Sequence, residues 1–211
     1  MTTFSFLDDY SEGAHPDILR ALTESNYVQQ APYGEDTYSA DATNRIKAHL
    51  GRKFNGSIHY VASGTMANIV AISSCLRPHE AVIAVGSGHI VVREAGAIEA
   101  TGHKLITVPA VDGKLTPESI EAALSDNAHF PHMAKPRLVY ISNATETGTV
   151  YTLPELRAIS ALGVPSTKKA RSASYWRWVA LAGSRKTWER SVSFFTLLVN
   201  MLPKCHFGGV L

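Results

Sequence analysis

Residues 57–86 read SIHYVASGTMANIVAISSCLRPHEAVIAVG, and the way this stretch divides decides the fold. SIHYVAS reads as a short apolar strand. Thr65 to Leu76 reads as a helix that stops at Arg77-Pro78, because a proline drives the residue before it out of helical backbone geometry. AVIAVG is a nearly unbroken apolar run, the pattern of a strand buried on both faces. Strand, helix and strand in that order point to a parallel pair joined by a helical crossover.

The alternation continues downstream. VVREAGAIEATG (residues 91–102) reads as a helix with Gly102 as its C-cap, and KLITVP as the next strand. TPESIEAAL opens a helix with Thr116 at the N-cap, Pro117 at N1 and a capping box through Ser119 or Glu118. PRLVYIS is a fourth strand, and TLPELRAISAL a helix begun by Thr152, Leu153 and Pro154. Upstream, HPDILRAL and DTYSADATNRIKAHLG read as two amphipathic helices joined by the loop QQAPYGED. No repeat or low-complexity segment interrupts them. The expected class is α/β, with a mostly parallel sheet flanked by helices.

Composition sets the bounds. The chain has 211 residues, of which 45% are hydrophobic and 18% charged, an ordinary globular balance. MTTFSFLDDYSEGAHPD is acidic and lacks the basic and apolar regions of a signal peptide. The longest apolar run, VSFFTLLVNML, is too short to cross a bilayer, so no membrane association is expected. Cys75 and Cys205 lie far apart and suggest no disulfide framework, which fits a cytoplasmic location.

In an open α/β sheet, ligands lie at the carboxyl ends of the strands, and three segments fall there. Ser63-Gly64-Thr65 leads from a strand into a helix. Its hydroxyls, the bare Gly64 backbone and the open helix N-terminus would make a phosphate cup, although the same residues suit an ordinary capped helix start. His89 follows the glycine-rich GSG and could stack on a planar ligand or move a proton, or could simply occupy a loop. Glu94 follows it at the start of the next helix, where a carboxylate suits the helix dipole. Asn143 and Thr145, in ISNATETG, either form a turn or reach a ligand. No metal site is indicated.

The series FLDDYSEGAHPDIL, YGEDTY, VASGTMAN, GHIVVREAGAIEATGHK, DGKLTPESIEAAL and VYISNATETGTVYTLPEL closely resembles the threonine aldolase/β-eliminating lyase family. Six segments match in order over about residues 4–162. The resemblance implies a pyridoxal 5'-phosphate (PLP) enzyme of fold type I that cleaves a β-hydroxy amino acid to glycine and an aldehyde. It assigns Ser63, Gly64 and Thr65 to the phosphate, His89 to ring stacking and proton handling, and Glu94 and Asn143 to the cofactor site. Asp9, Tyr33, Asp36 and Tyr38, with Gly34, match a loop region that lines the substrate site, partly across a subunit interface. The implied partners are a small amino acid and a second copy of the chain, with no nucleic acid. Two departures bear on the substrate. Asp8-Asp9 stands where the family often has Ser-Asp, and Thr145 about where many members have histidine. β-Elimination on another amino acid is the alternative reaction.

At Leu162 the likeness ends. Up to that residue the chain has 12 Lys and Arg against 17 Asp and Glu; beyond it there are 8 against 1, all three tryptophans and no aspartate. The family's Asp-Gly-Ala-Arg motif and its Schiff-base lysine belong after this helix, and neither is found. Lys168, in STKK, comes before the missing strand, and Lys204 lies in unrelated surroundings. No apolar strand stands at the expected place. Residues 1–162 thus read as a PLP-lyase large-domain fragment. Residues 163–211 read as a non-homologous basic tail, best explained by a shifted reading frame, with a divergent helix-rich extension or a nucleic-acid-binding tail as the alternatives. A chain of this kind is expected to be inactive alone, or to pair as a non-catalytic fragment with a full-length subunit.

Overall fold

The computed structural model describes residues 13–51 and 56–162, and the backbone of residues 177–182 and 197–198. Two compact units divide at Tyr60/Val61. The first holds α1 (Pro16–Ser25) and α2 (Thr37–Leu50). His15 caps α1, its Nδ1 accepting from the Asp17 amide at 3.2 Å, with Pro16 at the first helical position. Asp36 caps α2, its carboxylate accepting from the Ser39 amide and the Ser39 hydroxyl, both at 2.7 Å. Those bonds hold the Asp36 carboxyl below its usual range. Neither helix buries a residue.

The second unit contains α3 (Gly64–Cys75), β1 (Glu80–Val85), α4 (His89–Val92), β2 (Lys104–Val108), α5 (Pro117–Asp126), β3 (Lys135–Asn143), α6 (Leu153–Ala161), β4 (Arg177–Ala182) and β5 (Leu197–Leu198). The strand order is β2-β1-β3-β4-β5. The first four strands run parallel, and β5 is antiparallel to β4.

Strand alternation explains why this sheet is covered twice. Ala81, Ile83, Val85, Val139 and Ile141 face one way and pack with Ile120 and Ala123 of α5 and Ile159 of α6. Val82, Ala84, Leu138 and Tyr140 face the other way and pack with Ala71 and Ile72 of α3, Ile90 of α4 and Ile98. Because both faces are dry, the strands must be apolar at every position, as AVIAV and LVYI are. Full burial of a side chain such as Ile83 is worth about 1.5–3 kcal/mol. The capping box expected at Thr116 forms with Ser119, and Thr152 makes a second one with Glu155.

Three expectations need correction. SIHYVAS forms no strand: residues 57–63 are irregular, with Tyr60 and Val61 exposed. The ladder order β2-β1-β3-β4-β5 does not include this segment. The helix expected across residues 91–102 breaks into four residues of α4, a turn and a 3-10 segment, Glu99–Thr101, ended by Gly102 at φ +85°. Ala95 and Gly96 take left-handed backbone there, at φ +49° and +78°. Finally, an apolar strand does follow α6. Residues 177–182, RWVALA, lie along the open edge of β3, in register from Leu138↔Arg177 to Asn143↔Ala182. The edge of β3 is therefore paired, and the sheet has five strands where four were expected.

Candidate functional site

The chain leaves β1 through Gly86-Ser87-Gly88 and enters α4 at His89. The Gly88 amide donates to the Val85 carbonyl at 2.8 Å, and a Cβ at Gly88 would come within 3.0 Å of that oxygen. A side chain there would push the turn open, so glycine sets where His89 emerges. His89 is half-exposed, with 43% of its side chain open to solvent. Its Nδ1 lies 2.8 Å from Oε1 of Glu94.

Glu94 does not start a helix. It follows α4 and turns inward, where its side chain is wholly buried. The same Oε1 accepts from Nδ2 of Asn68 on α3. Asn68 lies one turn after Ser63-Gly64-Thr65, so this amide ties the start of α3 to His89. Next in the cluster is Tyr140 of β3. Its hydroxyl accepts from Ser142 Oγ at 3.2 Å and is pushed up to about 12, chiefly by burial, with the Glu94 and Glu146 charges acting the same way.

Ser63 caps α3, its Oγ accepting from the Met66 amide at 3.1 Å. Its carbonyl accepts from Ala67. The Gly64 and Thr65 amides remain at the open end of a twelve-residue helix, the geometry that suits an anion.

At the carboxyl ends of β1 and β3 a shallow depression is lined by Ser87, Gly88, Gly113, Tyr140, Ser142, Thr145 and Tyr151, among others. Its wall is a loop held by hydroxyls. Thr145 Oγ1 lies 3.0 Å from Thr147 Oγ1 and 2.8 Å from Thr149 Oγ1, and Thr149 Oγ1 donates to the Asp112 carbonyl at 2.8 Å. Asn143 Oδ1 accepts from the Tyr151 amide at 3.1 Å. Tyr151 in turn accepts from the buried Leu115 amide at 2.6 Å, and burial raises its hydroxyl.

Of the residues singled out in the sequence, His89 and Glu94 are brought together, and Ser63, Gly64 and Thr65 stand where an anion could meet them. Asn143 braces the loop through its side chain. Tyr33, Asp36 and Tyr38 belong to the first unit, where Tyr33 is 99% exposed, Tyr38 is exposed and Asp36 serves as a helix cap. Asp9, Lys168 and Lys204 lie outside the described residues. Asn68 and Tyr140 were missed. An amide amid the apolar residues of MANIVAI, and a phenol amid those of LVYI, were the available signals. Among the described residues no cluster of metal-ligating side chains occurs, and no helix is long and apolar enough to cross a membrane.

A family model described as beta-eliminating lyase matches residues 13–166. A low specificity L-threonine aldolase from a Pseudomonas species is 37% identical over 160 residues, covering 74% of this chain and 45% of that protein. A solved threonine aldolase of Leishmania major shares 44% identity with a TM-score of 0.73, covering 85% of this chain and 49% of that one. An archaeal alanine:glyoxylate aminotransferase, 15% identical with a TM-score of 0.55, covers 79% of this chain and 43% of its own and shows likeness of fold. The chain spans about half the length of the relatives it matches.

Proposed function

This chain belongs to the β-eliminating lyase family, with the α/β fold of the fold type I PLP enzymes, and from that premise we propose that it carries the cofactor-anchoring half of a lyase of threonine aldolase type. The observation that carries the proposal is the open N-terminus of α3, with Ser63, Gly64 and Thr65, tied through Asn68 and Glu94 to a half-exposed His89. These residues fit PLP. A helix start with unclaimed amides suits a phosphate dianion, and an imidazole emerging at a strand end can cover a pyridine ring. Asn143 supports the cofactor site from β3. Tyr33, Asp36 and Tyr38, with Asp9, belong to the substrate loop in this reading.

When bound, PLP supplies an electron sink for the bond that breaks at the substrate α-carbon. The chain's own part would be to hold the phosphate at the start of α3, to orient the ring with His89 and to handle the proton of the β-hydroxyl. The proton falls to His89. Thr145 takes the place of a histidine in many members, and its hydroxyl is held by Thr147 and Thr149. The products are glycine and an aldehyde, and the reactant is a β-hydroxy amino acid. β-Elimination shares these demands and remains the alternative within the family.

The catalytic lysine is not part of residues 1–162 in this reading. Residues 163–211 come from a shifted frame, so the chain binds PLP without linking to it. Activity then needs a full-length subunit, with which the chain would pair in the cytoplasm as family subunits pair with one another.

Equilibrium dialysis with PLP and with pyridoxal, which lacks the phosphate, tests the reading. PLP should bind at least about tenfold more tightly, a difference of 1.4 kcal/mol. Equal binding of the two would sink the phosphate assignment. Borohydride treatment should leave no PLP attached, and a trapped lysine would refute the loss of the catalytic one.

A further inference from the structure

The Asn68–Glu94 pair is expensive to keep and supplies little stability. A buried carboxylate bears a desolvation penalty of several kcal/mol that one amide and one imidazole do not fully offset. Among the described residues, Glu94 Oε2 and Asn68 Oδ1 are buried without a hydrogen-bond partner. Both donors converge on the other oxygen, Oε1. The carboxylate is thus oriented by Asn68 on one side and faces His89 Nδ1 on the other, with no further hydrogen bond to it among the described residues.

An ionised Glu94 can only accept, which would put the hydrogen of the 2.8 Å contact on Nδ1. The tautomer of a neutral histidine is set by the bond that one of its nitrogens makes. We infer that Glu94, held by Asn68, is a positioning residue that fixes His89 as the Nδ1–H tautomer and leaves Nε2 outward with a free lone pair. That deepens the function proposed above, in which His89 receives a proton, by naming the receiving atom. It also couples two parts of the site. Asn68 rides on the helix whose start would hold the phosphate, so the cup and the imidazole share one reference point.

The test needs no cofactor, and its failure is therefore distinct from a failure to bind PLP. Long-range proton–nitrogen spectra of the full, nitrogen-15-labelled chain, at about two pH units above the ~6.5 of an unperturbed imidazole, read the tautomer of His89 directly. Nδ1 should be the protonated-type nitrogen and Nε2 the pyridine-type one. Glu94→Gln keeps an acceptor oxygen and should preserve that pattern. Glu94→Leu removes it, and the proton should move to Nε2. A wild-type ring carrying its proton on Nε2, or on both nitrogens, overturns the inference. So does a folded Glu94→Leu variant with an unchanged ring. If Glu94→Leu does not fold, the wild-type and Glu94→Gln spectra still decide it, because loss of the Nδ1–H pattern in either is fatal.

Discussion

Gly113→Ala tests the wall of the depression. Asp112 and Gly113 turn the chain with φ +51° and +73°, between Val111 and Lys114, which form an isolated antiparallel bridge. A Cβ on residue 113 would lie 2.0 Å from Thr147 Oγ1, 3.1 Å from Thr145 Oγ1 and 3.2 Å from Thr147 Cβ. Rotating Thr147 relieves the first contact and leaves the last, so the loop has to move. Left-handed backbone costs a residue with a Cβ about 1–2 kcal/mol. Overpacking adds about 1–3 kcal/mol. Alanine returns only about 0.4–1 kcal/mol by narrowing the unfolded ensemble. The balance is a loss of about 3 kcal/mol, or about 1.5 M in urea midpoint for a slope near 2 kcal/mol per M. Urea unfolding followed by far-ultraviolet circular dichroism measures it. In a double variant with Thr147→Gly, which removes both the Oγ1 and the Cβ, the overpacking share should be recovered and about 1 kcal/mol from the backbone left, measured against Thr147→Gly alone. A single variant within 0.5 kcal/mol of wild type, or a double variant that loses as much against Thr147→Gly as the single loses against wild type, would refute the packing argument.

Two further outcomes follow from the core and from the helix cap. Ile83 is fully buried in β1, so Ile83→Ala should cost about 2–5 kcal/mol and Ile83→Val about 0.5–1.5 kcal/mol in the same urea assay. A cost below 1 kcal/mol for the alanine would show that the sheet is not covered on that face. Glu155 accepts from the Thr152 amide at 2.6 Å and from Lys114 Nζ at 2.9 Å, and these bonds, the backbone one first, lower its carboxyl from 4.5 to about 2. The folded value lies below the unfolded one, so its contribution is complete above about pH 4.5 and fades as the pH falls toward 2. Thermal unfolding across that window should fall less steeply for Glu155→Gln than for wild type, and parallel slopes would remove Glu155 from the account.

The parts of the fold that were legible in the sequence are those where local and global demands agree. AVIAVG and PRLVYIS had to be buried strands because no other element places so many apolar residues on two faces at once. Thr116 and Thr152 had to start helices because each precedes a proline and a bonding partner at fixed spacing. SIHYVAS met the same local criterion and failed because pairing is not a local property: an apolar run becomes a strand only where a ladder takes it, and the order β2-β1-β3-β4-β5 leaves it out. RWVALA was passed over for the opposite reason. Its setting among lysines, arginines and tryptophans drew attention to composition, while the run itself is apolar and suits the vacant edge of β3. A composition shift marks a change in origin or partner, yet an open sheet edge selects only for extended backbone and apolar side chains.

The site was legible only as far as each residue acts through its own neighbours. His89 and Ser63-Gly64-Thr65 were singled out by their place at strand ends, where a plain loop or a capped helix start fits equally well, and only the family resemblance gave them a cofactor role. Glu94 was placed at a helix N-terminus, where a carboxylate is ordinarily comfortable. Its actual position is costlier, since it lies past the end of α4 with its side chain wholly buried against Asn68 and His89. Asn68 lies 26 positions earlier in the chain, so no window reading could join the two. The pairing appears once the fold brings the first half of α3 and the turn after α4 together. Where a buried charge is retained against its desolvation penalty, the residue at the other end of its hydrogen bond is the place to look for function, and here that residue is His89.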